Sequence, residues 1–133
     1  VDAGGVPLAV VLTKANRNDI TQLLALVDGV PPIRGKPGAA RRRPTIVYAD
    51  RAYDSQPHRE ELRRRGIASR LARKHTGHGS GLGRFRWVVE RTFAWLHRFR
   101  RLLVRYERSA TIHEAFLRLA CVLICHRRLR RQF

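Results

Sequence analysis

Two stretches that resist packing set the limits on how this chain can fold. Residues 31–44 hold four prolines and two glycines around Arg41-Arg42-Arg43, and residues 77–83 hold four glycines. Proline removes a backbone donor and glycine costs the most entropy to fix, so both stretches read as loops, the first of them exposed and basic. The apolar sequence between them comes in short pieces. Arginines interrupt every long hydrophobic segment, so no run approaches the roughly 18 apolar residues of a membrane span. At 133 residues the chain suffices for one domain with its own core, here expected to be soluble and cytoplasmic. It opens on Val1 and runs into an apolar stretch with no signal-peptide pattern, which reads as a cut within a longer protein.

The pieces alternate in type. Val6 to Thr13, after the turn-forming Asp2-Ala3-Gly4-Gly5, predicts a strand. Asp19 and Gln22 have capping-box spacing ahead of a helix that ends at Gly29. Thr45 to Ala49 is a compact β-rich run, expected as a central strand that delivers Asp50 at its C-terminal end. Ser55 can cap a helix over about residues 56–65, closed by Gly66, and Ile67 to Leu71 returns as a strand. A long helix follows over about residues 84–106. Thr111 and Glu114 then make a capping box for a last helix over about 112–129, with Ile112, Ala115, Phe116, Leu119, Ala120 and Leu123 on its apolar face. Strands alternating with helices indicate an α/β fold, in which functional groups gather outside the carboxyl ends of the strands.

The charge narrows the partner. A net charge of +18, with 28 basic and ten acidic residues, points to nucleic acid. All but Lys14, Lys36 and Lys74 of the basic residues are arginines, whose planar fork suits phosphate. Cys121 and Cys125, near His113 and His126, have a conceivable zinc spacing, but without a second cysteine pair they read as small core residues of a helix. No disulfide framework is suggested, as expected of a reducing compartment.

Two carboxylates stand out. At about 100° per residue, Arg86, Glu90, Phe93 and His97 fall on one stripe of the long helix, while Phe85, Val89, Leu96, Phe99 and Leu103 make a separate seam for the core. Glu90 reads either as a surface glutamate paired with Arg86 or as a functional acid. Asp50 reads either as a turn former or as a metal ligand. Two carboxylates brought together from a strand end and a helix would need a cation between them, and their hard oxygens suit Mg²⁺ or Mn²⁺. Spacing alone leaves both alternatives open.

The wording around these residues resembles the bacterial DDE transposases of insertion sequence family five, over nearly the whole chain. Tyr48-Ala49-Asp50-Arg51-Ala52-Tyr53-Asp54 is similar to the segment that carries that family's second catalytic aspartate. Asn16-Arg17-Asn18-Asp19 and Val30-Pro31-Pro32-Ile33-Arg34-Gly35 also read as this group's. Most specific is Arg86-Trp87-Val88-Val89-Glu90-Arg91-Thr92-Phe93-Ala94-Trp95-Leu96. It resembles the signature around the catalytic glutamate, in which Tyr, Arg, Glu and Lys recur with two, three and six residues between them. Arg86 and Glu90 match, while Gly83 stands at the tyrosine position and His97 at the lysine position, with Arg98 beside it as a substitute cation.

The resemblance implies residues 1–133 of a partial catalytic domain, the C-terminal part of a ribonuclease-H-like fold whose first strand, carrying the first aspartate, precedes this chain. It implies Asp50 and Glu90 as catalytic metal ligands for two Mg²⁺ or Mn²⁺ ions, and Arg86, Arg91, His97 and Arg98 as DNA contacts. The implied partners are transposon ends and target DNA, the preceding transposase segment, and further copies of the protein on DNA, in a nucleoid-associated setting and away from membranes. The rival is a catalytically inactive, basic DNA-binding remnant. Asp2, in a hairpin turn, and Asp19, at a helix start, are not natural replacements for the first aspartate, and Glu60 and Glu61, on an exposed helix, are expected to be dispensable for strand cleavage.

Overall fold

The computed structural model describes residues 1–35, 37–73 and 83–130, without the side chain of Arg84. The chain divides into two compact units: Thr13–Phe85, the sheet unit, and Val1–Leu12 with Arg86–Phe133, the helical unit.

In the sheet unit a 3-10 turn, Asp19–Gln22, leads into helix α1, Leu23–Asp28. The N-cap is Asn18, whose Oδ1 accepts from the Ile20 amide at 3.3 Å, and not the expected Asp19. Strand β1 (Ile46–Ala49), helix α2 (Gln56–Arg64) and strand β2 (Ala68–Leu71) form a β-α-β crossover. The strands are parallel, in the register Ile46 to Ala68 through Ala49 to Leu71. Gly66 sets the turn between α2 and β2 with φ 71°, where a side chain would be strained. Its amide donates to the Arg63 carbonyl and that of Ile67 to the Leu62 carbonyl, both at 2.9 Å, a Schellman closure. That closure brings Ile67 onto Leu62, and with Leu23 and Leu71 they form the buried core. The described residues of 31–44 are mostly exposed, with Ala40 and Pro44 half-buried, and Ile33 and Arg41 pinch the loop by exchanging two backbone hydrogen bonds of 2.9 Å.

The helical unit contains α3 (Gly83–Leu96, from Arg86 onward), α4 (Arg100–Leu103) and α5 (Ala110–Leu129). Its first residues are not the expected strand: among the described residues, Val6–Thr13 has no ladder partner. Apolar composition can favour an extended chain but cannot supply a neighbour to pair with. What is ordered there is the turn before it. Asp2 Oδ1 accepts from the Gly4 and Val6 amides at 2.8 Å each. Gly5, at φ 81°, lies so close to α3 that a Cβ would meet the Val88 carbonyl at 3.1 Å.

The long helix expected over 84–106 is broken after Leu96. The Arg98 and Phe99 amides turn to acceptors three residues back, Trp95 and Leu96, and Phe99 is extended at ψ 109° before α4 begins. The break lets Phe99 and Leu102 both pack against the cluster of Leu96, Ala120 and Ile124. The buried stripe of α3 also differs from the expected seam: it is Val88, Thr92 and Leu96, whereas Phe85 and Val89 are exposed. Thr92 belongs inside because its hydroxyl is satisfied there, donating to the Gly5 carbonyl at 2.6 Å with the Val88 carbonyl at 3.1 Å as a second acceptor. Helix α5 begins after Ser109 rather than at the expected Thr111 cap, and its buried residues are Ala120 and Ile124. Cys121 packs on the Leu96 cluster and the Cys125 thiol points at the Pro7 carbonyl at 3.5 Å, the core role favoured over zinc. The glycine-rich stretch lies outside the described residues up to 82, and Gly83 opens α3. No helix among the described residues is long and apolar enough to cross a membrane.

Candidate active site

Asp50 follows β1 directly and caps a 3-10 turn, Arg51–Tyr53, its Oδ1 accepting from the Ala52 amide at 3.0 Å. The turn-former reading is therefore satisfied by one carboxylate oxygen. The residue is exposed at the carboxyl end of a parallel strand, the edge where α/β sheets collect ligands. Tyr53, in the same turn, was not singled out from the sequence. Burial first, then the nearby Asp19 and Asp50 carboxylates, push its phenol above the ordinary tyrosine range, since both effects disfavour a phenolate. Asp19 and Asp50 thus both lie within electrostatic reach of one phenol.

Asp54 has a different task. It holds Arg59 through Nε and Nη2 at 3.0 and 2.6 Å, and Arg59 also donates to the Leu71 carbonyl, tying α2 to the end of β2. Glu61 is likewise structural: Arg64 first and Arg65 second hold its carboxyl down to about 2. Arg65 also bonds Asp28 at 2.6 Å and so links α2 to α1, which ties Glu61 into the fold without bearing on its expected dispensability for cleavage. Asp2 is accounted for by its turn.

Glu90 belongs to the helical unit, whereas Asp50 belongs to the sheet unit. On α3 it lies opposite the buried stripe, two residues from Val88 and from Thr92 and six from Leu96, and its side chain is 65% exposed. Arg86 pairs with it at 3.1 Å from one turn earlier, as the spacing predicts. The stripe of Arg86, Glu90, Phe93 and His97 holds, with the Phe93 and His97 rings 6.3 Å apart. His97 and Arg98, expected within the helix, lie in the exposed turn after it. Arg91 is exposed and lies over the Trp87 ring at 4.3 Å.

Each of these exposed carboxylates, taken by itself, carries the hard oxygen donors that a divalent cation takes. Among the described residues no group of three acidic, histidine or cysteine side chains is gathered for one.

The sequence matches the transposase DDE domain family over residues 1–125. It is 62% identical over 130 residues to a protein named as the transposase for insertion sequence element IS402 of Burkholderia cepacia, covering 98% of this chain and 62% of that protein. It is 30% identical over 119 residues to the transposase for insertion sequence element IS1106 of Neisseria meningitidis serogroup B, covering 82% of this chain and 36% of that protein. The chain therefore spans less than two thirds of the length of either relative. No solved structure matches it. With a family match over nearly its whole length and a relative sharing most of its residues, the chain belongs to the DDE-domain transposases of bacterial insertion sequences.

Proposed function

We propose that this chain is part of the catalytic domain of an enzyme that cuts DNA at the ends of an insertion sequence and joins the freed strand to target DNA. The observation that carries this reading is the position of Glu90: the sole acid of α3, turned to solvent opposite the buried stripe. Removing it would cost the fold little, so its place in the sequence calls for another reason.

In this reading Asp50 and Glu90 are metal ligands in a ribonuclease-H-like domain that includes chain beyond these 133 residues. Two Mg²⁺ or Mn²⁺ ions, when bound, would supply charge neutralisation at the reacting phosphate and a more acidic attacking hydroxyl. An oxygen of water or of a DNA 3′-hydroxyl forms the new bond to phosphorus as the bond to the leaving 3′ oxygen breaks, in line. Arg86, freed from Glu90 when that carboxylate takes a cation, would turn its fork to phosphate, and Arg91, His97 and Arg98 would hold the neighbouring backbone. Further copies of the protein on the DNA would bring two transposon ends together.

The test is cleavage of DNA carrying the element ends by the full-length protein with Mg²⁺ or Mn²⁺. Asp50→Ala and Glu90→Ala should each abolish strand cleavage and leave DNA binding largely intact, since they remove metal ligands and not phosphate contacts. Near-parental cleavage by Glu90→Ala would overturn the reading.

A further inference from the structure

Beside Glu90, the helical unit carries a run of stacked cations and rings, of which Trp95 also packs against the cluster of Leu96, Ala120 and Ile124. Trp87, Arg91 and Trp95 follow one another at single-turn intervals along α3, and Arg128 reaches in from α5. The Arg91 guanidinium lies over Trp87 at 4.3 Å and within 5.9 Å of Trp95, and Arg128 lies over Trp95 at 4.8 Å. Trp87 is 45% exposed, Arg91 is exposed, and Trp95 and Arg128 are half-buried. Among the described residues neither arginine is paired with a carboxylate, and Arg128 has only a long bond to the Gly4 carbonyl at 3.4 Å. Trp87 and Glu90, three residues apart, are neighbours on the helix surface, so the run begins next to the acid.

We propose that Trp87, Arg91, Trp95 and Arg128 form a single grip for the DNA backbone phosphates adjoining the one that reacts, with the two indoles as positioning residues for the guanidiniums. This deepens the transposase reading and rests on it. Stacking on a ring engages the face of a guanidinium and leaves the N–H donors on its edge free. Those donors, held in a plane, match two phosphate oxygens at once. A carboxylate partner would have filled the same edge. A chain of charge +18 repels cations and favours a polyanion at such a surface. The indoles also remove rotamer freedom that a solvated arginine would lose on binding, which is preorganisation.

The test is binding of the full-length protein to duplex DNA carrying the element ends, across a range of salt. Arg91→Ala and Arg128→Ala should each lower the slope of log affinity against log salt by about 0.9, the release from one phosphate. Each should weaken binding about tenfold or more at fixed salt. Arg91→Lys keeps the charge but not the planar fork, and should weaken binding nearly as much as Arg91→Ala. Trp87→Leu should weaken it as well, while Trp87→Phe, which keeps a ring face, should restore it. A merely structural role for Trp87 would shift thermal unfolding instead, with the salt slope unmoved. Parental slopes for Arg91→Ala and Arg128→Ala would overturn the proposal. So would parental binding by Arg91→Lys and Trp87→Leu, which would reduce the run to bare charge. Cleavage by Glu90→Ala in the same preparations separates the two ideas: if that variant is inactive while the stacked residues prove dispensable, the transposase reading stands and the grip fails.

Discussion

In the sheet unit Arg59, Arg64 and Arg65 are each held by carboxylates: Asp54, Glu61, and Glu61 with Asp28. In the helical unit Arg86, Arg101 and Arg118 are held in the same way by Glu90, Glu107 and Glu114, but Arg91, Arg127 and Arg128 lie instead over Trp87, Phe99 and Trp95. The same side chain, abundant throughout, therefore meets two different neighbours. Pairing with a carboxylate cancels charge and fastens one element to another, as Arg59 fastens α2 to the end of β2. Stacking on a ring fixes the arginine but leaves its charge and its donors outward. Total charge conceals this division, and it suggests that a phosphate backbone meets the helical unit's stacked arginines more readily than the paired ones.

The cores should break first, in either unit. Leu62 is fully buried in the sheet unit and Ile124 is 5% exposed in the helical unit. Truncating either to Ala leaves a cavity and should cost about 2–5 kcal/mol in denaturant unfolding of the full-length protein. A loss below about 1 kcal/mol at both positions would mean that neither cluster is a packed core. Next in size is Thr92→Val, which keeps the shape of a buried side chain but leaves the Gly5 carbonyl without its donor. The expected loss is about 1–3 kcal/mol, read by the same unfolding.

Acid should distinguish the paired arginines. The Glu61 carboxyl is held at about 2, below its ordinary value, so its contribution is complete above that ordinary value and is lost as pH falls through about 2. Glu61→Gln should lower stability at neutral pH and flatten its decline between about pH 5 and pH 2. An unchanged pH profile would show that the Arg64 and Arg65 pairs contribute nothing to folding. The smallest effect belongs to the stacked set. Arg91→Ala should change unfolding stability by no more than about 0.5 kcal/mol, as expected of an exposed side chain whose value lies in binding. A larger loss would make its stacking structural.

The β1, α2 and β2 region was legible in the sequence because its boundaries are written in local chemistry: a compact β-rich run, a helix that starts after Ser55 at the N-cap, and Gly66 where a positive φ is needed. The Arg86 and Glu90 pair was legible for the same reason, being a contact within one helix. Residues that depend on a distant partner were not. Thr92 reads as polar and hence exterior until the Gly5 carbonyl is placed against it, and the supposed seam through Phe85 and Val89 followed from counting apolar weight alone. Val6–Thr13 has a strand's composition without a described ladder partner, and the break after Leu96 depends on Phe99 finding the α5 cluster. Asp50 and Glu90 were put forward as candidate site residues through the wording around them. Tyr53 lay in the same segment and was passed over because its signal, burial beside two carboxylates, is spatial.

Binding of Mn²⁺ to the full-length protein tests the central proposal, that Asp50 and Glu90 serve a common divalent site, most directly. Asp50→Asn keeps an oxygen able to cap the Ala52 amide, and Glu90→Gln keeps the length of the side chain, so both variants should fold as the parent does. In calorimetric titration the parent should show saturable Mn²⁺ binding, and each variant should lose most of it. Undiminished Mn²⁺ affinity in both variants would contradict the account.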